Sequence, residues 1–323
     1  MILSANLKTK CVRAIGHAIA YIRDRQSPTG GFCFYRHGGV DEPSLGDTYY
    51  AVSALKLLNA EIPAAANVVQ FLSQSRLFGL TYLYFYVFTL DRLGLSQRIR
   101  LKIVELVNSL IIQPPDSEHR ADTSAWLESA RKTIRLQQHF GVIVPPFVNA
   151  LLTPKSRAPQ AAAHRVQIER SYAPIASFVQ SLSNAGGFGE RANLWDTYLA
   201  LSVLSLLGVS TTAESTSFVD SLQQPPFGFA MSDSSTMPSL DVVYAGVRCC
   251  ELLALPVRFA TRALEFTLAC QTSDGGFAHA PVALPNLEFT YRAMRTLVAL
   301  APELVAPLQL RGGGELDRPR AVP

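Results

Sequence analysis

The stretch FTLACQTSDGGFAHAPVALPNLEFTYRAMRTLVAL, Phe266–Leu300, decides the fold of this chain. It predicts a helix that ends at Gln271, a turn at Gly275 and Gly276, and a second apolar helix that begins near Glu288. The same order of features recurs upstream in the segments Tyr21–Leu58, Phe178–Leu207 and Phe218–Leu253. Self-similarity at this period indicates stacked helical hairpins.

Two weaker copies complete the pattern. The segments Ala64–Gly94 and Ile99–Gly141 each predict a further hairpin, which makes five or six in all. No segment shows the alternation of a strand, so the expected class is all-α. Stacked hairpins form either an open solenoid or a closed ring, and in a ring the second helix of each pair lines the inside. We expect one domain over residues 1–310, with 145–171 as an insertion or mobile segment and 311–323 as a disordered tail.

The composition of the chain argues against several classes of protein. The chain has 323 residues, of which 48% are hydrophobic and 17% charged, with a formal net charge of +4 and no basic run that would indicate nucleic-acid binding. Five cysteines without a CxxC pair indicate free thiols in a reducing compartment. The first residues do not read as a secretory signal, and the longest apolar run, Leu77–Leu90, is too short to span a bilayer. We therefore expect a cytoplasmic protein.

The start of each inner helix carries a distinctive residue. An Asp or Glu ahead of an apolar run is typical of an N-cap, because its carboxylate accepts hydrogen bonds from the free backbone amides of the first turn. Tyr82 occupies the corresponding place in the second hairpin. The predicted caps are Asp47, Asp122, Asp196, Asp241 and Glu288.

The turns follow a pattern that a known superfamily shares. Its repeat has an aromatic residue, an aliphatic one, three residues, Gln, three residues, Gly, one residue and Trp. The first copy here matches at every spacing with Phe in place of Trp, through Tyr21, Ile22, Gln26, Gly30 and Phe32. The last copy matches likewise through Phe266, Gln271, Gly275 and Phe277. The chain resembles the prenyltransferase and squalene-oxidase repeat superfamily, and within it a small single-domain terpene cyclase of the squalene–hopene type.

The resemblance implies an α/α toroid with a central apolar cavity for an isoprenoid. It also shows which functional motifs are missing. Terpene cyclases of this type protonate an alkene with the middle Asp of an Asp-x-Asp-Asp run, and that position is Gly46 in one copy and Trp195 in another. Protein prenyltransferase β subunits bind zinc, but Val243 and Tyr291 stand at two of the three ligand positions. We therefore expect no metal and no cofactor, with magnesium needed only for a diphosphate substrate.

The candidate site lies where the inner helices begin. Burial raises the pKa of a carboxyl group and makes it a proton donor, and our candidate acids are Asp196 and Asp241, followed by Asp47 and Glu288. Aromatic rings near these positions would stabilise a carbocation, by about 0.5–2 kcal/mol each. The candidate substrate-binding residues are Trp195, Tyr198, Tyr244, Tyr291, Tyr49, Tyr50, Tyr82, Tyr86, Trp126 and Phe289. The same rings could instead pack the core of the ring.

Three hypotheses remain open from the sequence. The first is an isoprenoid cyclase with a non-standard acid, the second a toroid that binds an isoprenoid or lipid without converting it, and the third a scaffold for other proteins. A small lipophilic ligand is the expected partner, and nucleic acid is not. Peripheral contact with a membrane is compatible with this ligand, and the sequence does not fix the oligomeric state.

Overall fold

The computed structural model describes residues 3–37, 40–99, 101–115, 122–141, 172–235 and 237–304. The predicted insertion at 145–171 and the predicted tail at 311–323 lie outside these ranges. Within them, helices alternate between an outer and an inner set. The outer helices are α1 (Ala5–Asp24), α3 (Ala65–Gln74), α5 (Leu101–Asn108), α7 (172–181), α9 (Ala213–Ser221) and α11 (Ala260–Ala269). The inner helices are α2 (Leu45–Leu57), α4 (Gly79–Arg92), α6 (Thr123–His139), α8 (Leu194–Leu206), α10 (Leu240–Leu252) and α12 (Leu287–Leu300). Short 3₁₀ turns cover Ser96–Arg98 and Pro302–Leu304.

The inner helices close into a ring. Each of them packs against the next, and α12 packs against α2. The outer helix α1 likewise contacts α11 and α12 of the last hairpin. The structure is therefore the α/α toroid that the repeats predict, rather than an open solenoid.

The apolar patterns of the two helix sets explain their places. The inner helix α8, LWDTYLALSVLSL, is apolar almost all round, and its Leu194 and Leu201 are fully buried. The outer helix α1 buries one stripe, which includes Cys11, Ala18 and Ile22, and exposes its opposite face. The core lies between the two rings of helices. Full burial of a side chain such as Leu201 contributes about 1.5–3 kcal/mol.

In four hairpins the glycine after the outer helix packs against the outer helix of another hairpin. Gly30 has φ of 101°, and a Cβ built on it would lie 2.1 Å from the carbonyl oxygen of Asn67 in α3. Gly275 has φ of 95°, and its Cβ would lie 2.5 Å from the carbonyl oxygen of His17 in α1. Only glycine fits a left-handed turn pressed so closely on backbone. The contact between Gly275 and α1 repeats the others across the point of closure.

The spacing between Gln and Gly in the first and last copies also has a physical reason in the structure. The side chain of Gln271 donates to the carbonyl oxygen of Gly275 at 2.9 Å and to that of Ala14 in α1 at 2.9 Å. Gln26 donates to the carbonyl oxygen of Gly30 in the same way, at 3.1 Å. The glutamine side chain thus stabilises its own turn, and in the last hairpin it also connects that turn to α1 of the first hairpin.

Short strands, which the sequence analysis did not predict, flank the glycine turns. They form three two-stranded antiparallel sheets among the described residues. The strands are β1 (Phe32–His37), β2 (Val40–Ser44), β3 (Ser183–Asn184), β4 (Gly187–Phe188), β5 (Gln223–Gln224) and β6 (Gly228–Phe229). The expectation of no strands was wrong because β3, β4, β5 and β6 have only two residues each, while β1, FCFYRH, and β2, VDEPS, do not alternate between apolar and polar residues.

In three hairpins a buried threonine joins the turn to the inner helix. The threonine hydroxyl accepts a hydrogen bond from the backbone amide of the phenylalanine in the turn at 3.0 Å, and it donates one to the carbonyl oxygen of the helix N-cap at 2.6 Å. The pairs are Thr48 with Phe32, Thr197 with Phe188, and Thr290 with Phe277. Each threonine is fully buried. In the α10 hairpin Val243 takes this place.

The N-caps differ from most of those that the sequence predicts. The caps of the best-matched inner helices are Ser44, Asn193, Ser239 and Asn286. Asp47 and Asp196 lie at the third helical position, while Asp241 and Glu288 lie at the second, so the assignment of these four as caps was wrong. A short Ser or Asn side chain reaches the first-turn amides, and a carboxylate inside the first turn still benefits from the helix dipole. Asp122 is a cap, as predicted, and accepts the amide of Ala125 at 3.4 Å.

Candidate functional site: acids, phenols and arginines inside the ring

The candidate carboxylates lie at one end of the ring because all inner helices begin there. Asp47 accepts a hydrogen bond from the hydroxyl of Ser44 at 2.6 Å. Burial raises the pKa of Asp47, and the hydrogen bonds from Ser44 and from the amide of Phe34 oppose the rise. Asp196 is buried with 7% exposure and accepts hydrogen bonds from the hydroxyl of Ser124 and from the side-chain amide of Asn193.

Arg292 connects the two remaining carboxylates. Its guanidinium forms ion pairs with Asp241 of α10 and with Glu288 of its own helix. It also lies over the ring of Trp195 at 4.9 Å. The hydroxyl of Tyr50 in α2 donates to Glu288 at 2.8 Å. Burial raises the pKa of Glu288, and the hydrogen bond from Tyr50 opposes this rise.

The aromatic residues form a cluster that crosses the ring. On α2 and α4 the rings of Tyr49 and Phe85 stack at 5.1 Å, and Tyr50 reaches the ring of Tyr291 on α12 at 5.9 Å. On α8 and α10 the phenol oxygens of Tyr198 and Tyr244 lie 3.4 Å apart. Six of the ten predicted substrate-binding residues therefore belong to this cluster. These are Trp195, Tyr198, Tyr244, Tyr291, Tyr49 and Tyr50.

The other four predicted residues lie elsewhere. Tyr82 is 44% exposed in the first turn of α4. Tyr86 is buried in the core on another face of that helix. Trp126 packs against Phe178 of α7 at 4.8 Å. Phe289 is half-buried at the acidic end, where the guanidinium of Arg292 lies 5.6 Å from its ring.

Basic side chains, which the sequence analysis missed, share the interior with the phenols. Arg135 donates to the hydroxyl of Tyr84 at 2.9 Å. Arg248 forms an ion pair with Glu251, and Arg295 lies 3.7 Å from the same carboxylate. The signal was present in the sequence, because Arg248 and Arg295 each follow a candidate acid by seven residues and so share its helix face.

The arginines divide the tyrosines into two kinds. Burial alone would raise the pKa of Tyr84, but the charges of Arg135 and Arg131 outweigh it and lower that pKa. Burial raises the pKa of the neighbouring Tyr49, whose ring lies 5.7 Å away. Tyr198 and Tyr244 form a second such pair, in which nearby arginines lower the pKa of Tyr198 and burial raises that of Tyr244. Paired groups with opposite shifts are suited to proton transfer.

Other features of the described residues lie apart from this cluster. They contain no group of three or more His, Cys, Asp or Glu placed to hold a metal ion. No helix among them has the length and apolar character needed to cross a bilayer. A surface cleft of about 1010 Å³ lies beside α9, lined by Arg191, Glu214 and several serines, and contains none of the predicted site residues.

The closed double ring of helices with an aromatic interior defines the class of protein. The sequence matches the family described as "Prenyltransferase alpha-alpha toroid domain" over residues 2–79 and 72–312. The chain belongs to this family. A comparison with curated protein sequences gives no match.

Solved structures of similar fold include two enzymes. The chain is similar to Candida albicans protein geranylgeranyltransferase-I complexed with GGPP, with 13% identity and a TM-score of 0.56 over 81% of this chain and 85% of that one. It is also similar to a variant of the type II terpene cyclase MstE from Scytonema in complex with its substrate geranylgeranyl dihydroxybenzoate. That match has 12% identity and a TM-score of 0.53, and it covers 93% of this chain and 99% of the other. At such identities the likeness shows the fold.

Proposed function

We propose that this protein is an isoprenoid-converting enzyme of the terpene cyclase type, which protonates a polyene and cyclises it inside the ring. The observation that carries the proposal is Glu288. Burial raises the pKa of this carboxyl group, which lies 2.8 Å from the hydroxyl of Tyr50 beside the aromatic cluster. The structures of the two similar enzymes are complexes with GGPP and with geranylgeranyl dihydroxybenzoate, which supports a long polyprenyl chain as the substrate.

The reaction assigns a role to each part of the site. The protonated Glu288 would give its proton to a terminal alkene, and the π electrons of successive double bonds would close the rings. The faces of Tyr50, Tyr291 and Phe85 would stabilise the cation as it moves. The last cation would lose a proton to water or to a phenol oxygen. Asp241 shares the guanidinium of Arg292 with Glu288, so Asp241→Asn tests it as an alternative acid.

The direct test is product formation. The purified protein is incubated with geranylgeraniol and with GGPP, and extracts are analysed by gas chromatography with mass spectrometry. We expect a cyclic product whose rate of formation falls by about 100-fold or more in Glu288→Gln, since a positioned proton donor contributes about that factor. The rate should also fall as pH rises through the raised pKa of Glu288. Asp47→Asn and Asp196→Asn test the other candidate acids, and Glu265→Gln, at an exposed ion pair of α11, is the control. Full activity in Glu288→Gln would rule out this acid.

A second candidate is a toroid that binds an isoprenoid without converting it. The ion pairs of Arg292 favour it, because they hold Asp241 and Glu288 as carboxylates. This candidate predicts that geranylgeraniol raises the melting temperature in a saturable manner and is recovered unchanged on extraction. Turnover of the bound compound would exclude it.

A further inference from the structure

Two arginines of α6 lie inside the ring without an ion-pair partner among the described residues. The Nε of Arg131 is buried and has no hydrogen-bond partner there. Arg135, one turn later, donates to the phenol of Tyr84 and lies over the ring of Phe88 at 5.0 Å. The carboxylate nearest to them along the helix is Glu128, and it is paired with Lys132 at 3.0 Å.

This arrangement leaves positive charge without full compensation. A guanidinium that leaves water and shares one carboxylate with another cation regains only part of its solvation free energy. Two like charges one helical turn apart also repel each other. The groups around Arg131 are the phenols of Tyr84, Tyr198 and Tyr244, and the carboxylate of Glu128, which is already paired with Lys132.

The opposite side of the ring adds to the positive charge. Arg248 of α10 and Arg295 of α12 share the single carboxylate of Glu251. Arg248 interacts electrostatically with Tyr198 and Tyr244, the same phenols that surround Arg131. The interior therefore has a basic centre enclosed by tyrosines, while Asp47, Asp196 and Glu288 line the end where the inner helices begin.

We propose that this basic centre, formed by Arg131, Arg135 and Arg248, binds the anionic end group, carboxylate or phosphate, of the ligand. The guanidinium of Arg131 is the main partner, since its N–H groups fit two oxygens of such a group. The inference rests on the proposed function and adds the orientation of its substrate. The acidic head group lies at the centre, and the hydrocarbon chain extends to Glu288 and Tyr50.

Binding experiments with matched probes test this inference. Geranylgeranoic acid, geranylgeranyl monophosphate and geranylgeraniol share one chain and differ in the end group, and inorganic phosphate tests the end group alone. Calorimetric titration of the full chain should show that the acid or the monophosphate binds about 10- to 100-fold more tightly than the alcohol, the range expected for charge-assisted hydrogen bonds. The better of the two identifies the end group.

Variants then assign the effect to Arg131. Arg131→Met should remove the preference for the anionic probe and leave the affinity for geranylgeraniol within about twofold. Arg262→Met, at an exposed ion pair of α11, should change neither property. Arg131→Lys retains the charge and should keep part of the preference.

The outcomes separate this inference from the proposed function. Equal affinity of the wild type for acid, monophosphate and alcohol overturns the inference, even if Arg131→Met does not fold. Equal weakening of all three probes in Arg131→Met also overturns it, since that result indicates a structural role. Conversion of geranylgeraniol with no preference for the anionic probes would leave the proposed function intact. Tight binding through Arg131 without conversion of any probe would support this inference and refute the enzyme.

Discussion

Thr197→Val should reveal how strongly a turn is held to its inner helix. The substitution preserves shape but removes the hydroxyl that accepts the amide of Phe188 at 3.0 Å. Thr197 is fully buried and Phe188 is 3% exposed, so water cannot replace the lost acceptor. A buried amide left without a partner costs about 1–3 kcal/mol. The carbonyl oxygen of Asn193 loses its hydrogen bond from the hydroxyl of Thr197. It still accepts one from the backbone amide of Thr197 at 3.0 Å, so it adds little to this loss.

The free energy of unfolding is measured by urea denaturation with circular dichroism, and the expected loss is about 1–3 kcal/mol. The matched control is Thr267→Val. Thr267 is also fully buried, but its hydroxyl donates to the carbonyl of Ala263 one turn earlier in the same helix, so we expect a change within about 0.5 kcal/mol. If the two variants lose the same stability, the hydroxyl of Thr197 does not secure the turn and the reasoning fails.

Three further predictions concern the turns, the acidic end and the thiols. Gly30→Ala should lower the free energy of unfolding by more than about 2 kcal/mol, because its Cβ would meet the carbonyl of Asn67, whereas Gly94→Ala, at φ of 73° with open space around it, should lose about 1 kcal/mol; equal losses would contradict the packing argument. Asp47 has a folded pKa raised above its ordinary value of 3.8, so folding favours its protonated form. The stability of the wild type relative to Asp47→Asn should therefore fall as pH rises from about 4 through the raised pKa, and a constant difference would refute the shift. All five cysteines are buried and form no disulfide, and burial raises the pKa of Cys11 to about 11. Alkylation at neutral pH should therefore require unfolding, and rapid labelling of the native protein would contradict their burial.

Much of the fold could be predicted because each repeat contains sequence signals that specify a helical hairpin locally. A left-handed Gly such as Gly275, a glutamine four residues earlier and an apolar run after it are local signals that recur with a fixed period. Closure of the ring could not be read from any one repeat. It depends on contacts such as that of Gly275 with His17, and a solenoid with the same hairpins would show the same sequence pattern.

The site was harder to predict than the fold. The sequence indicates that carboxylates and tyrosines such as Glu288 and Tyr50 cluster where the inner helices begin. It does not show that Arg292 neutralises two of those acids, because Asp241 belongs to a different hairpin. Nor does it show which aromatic residues face inward: Tyr82 and Tyr84 are two positions apart on α4, yet one is exposed and the other buried in the centre. The direction of a side chain on such apolar helices depends on how each helix is rotated in the ring.

The contact of the last hairpin with the first has a consequence for biosynthesis. The side chain of Gln271 and the turn at Gly275 meet α1, about 250 positions earlier in the chain, and this seam resembles the joints between consecutive hairpins. During translation α1 can pack against the last hairpin only after that hairpin has been synthesised. The contact between the first and last hairpins therefore forms late, and folding depends on residues that are distant in sequence. A circular permutant opened between any two hairpins, with the present termini joined, should assemble the same circle in a different order.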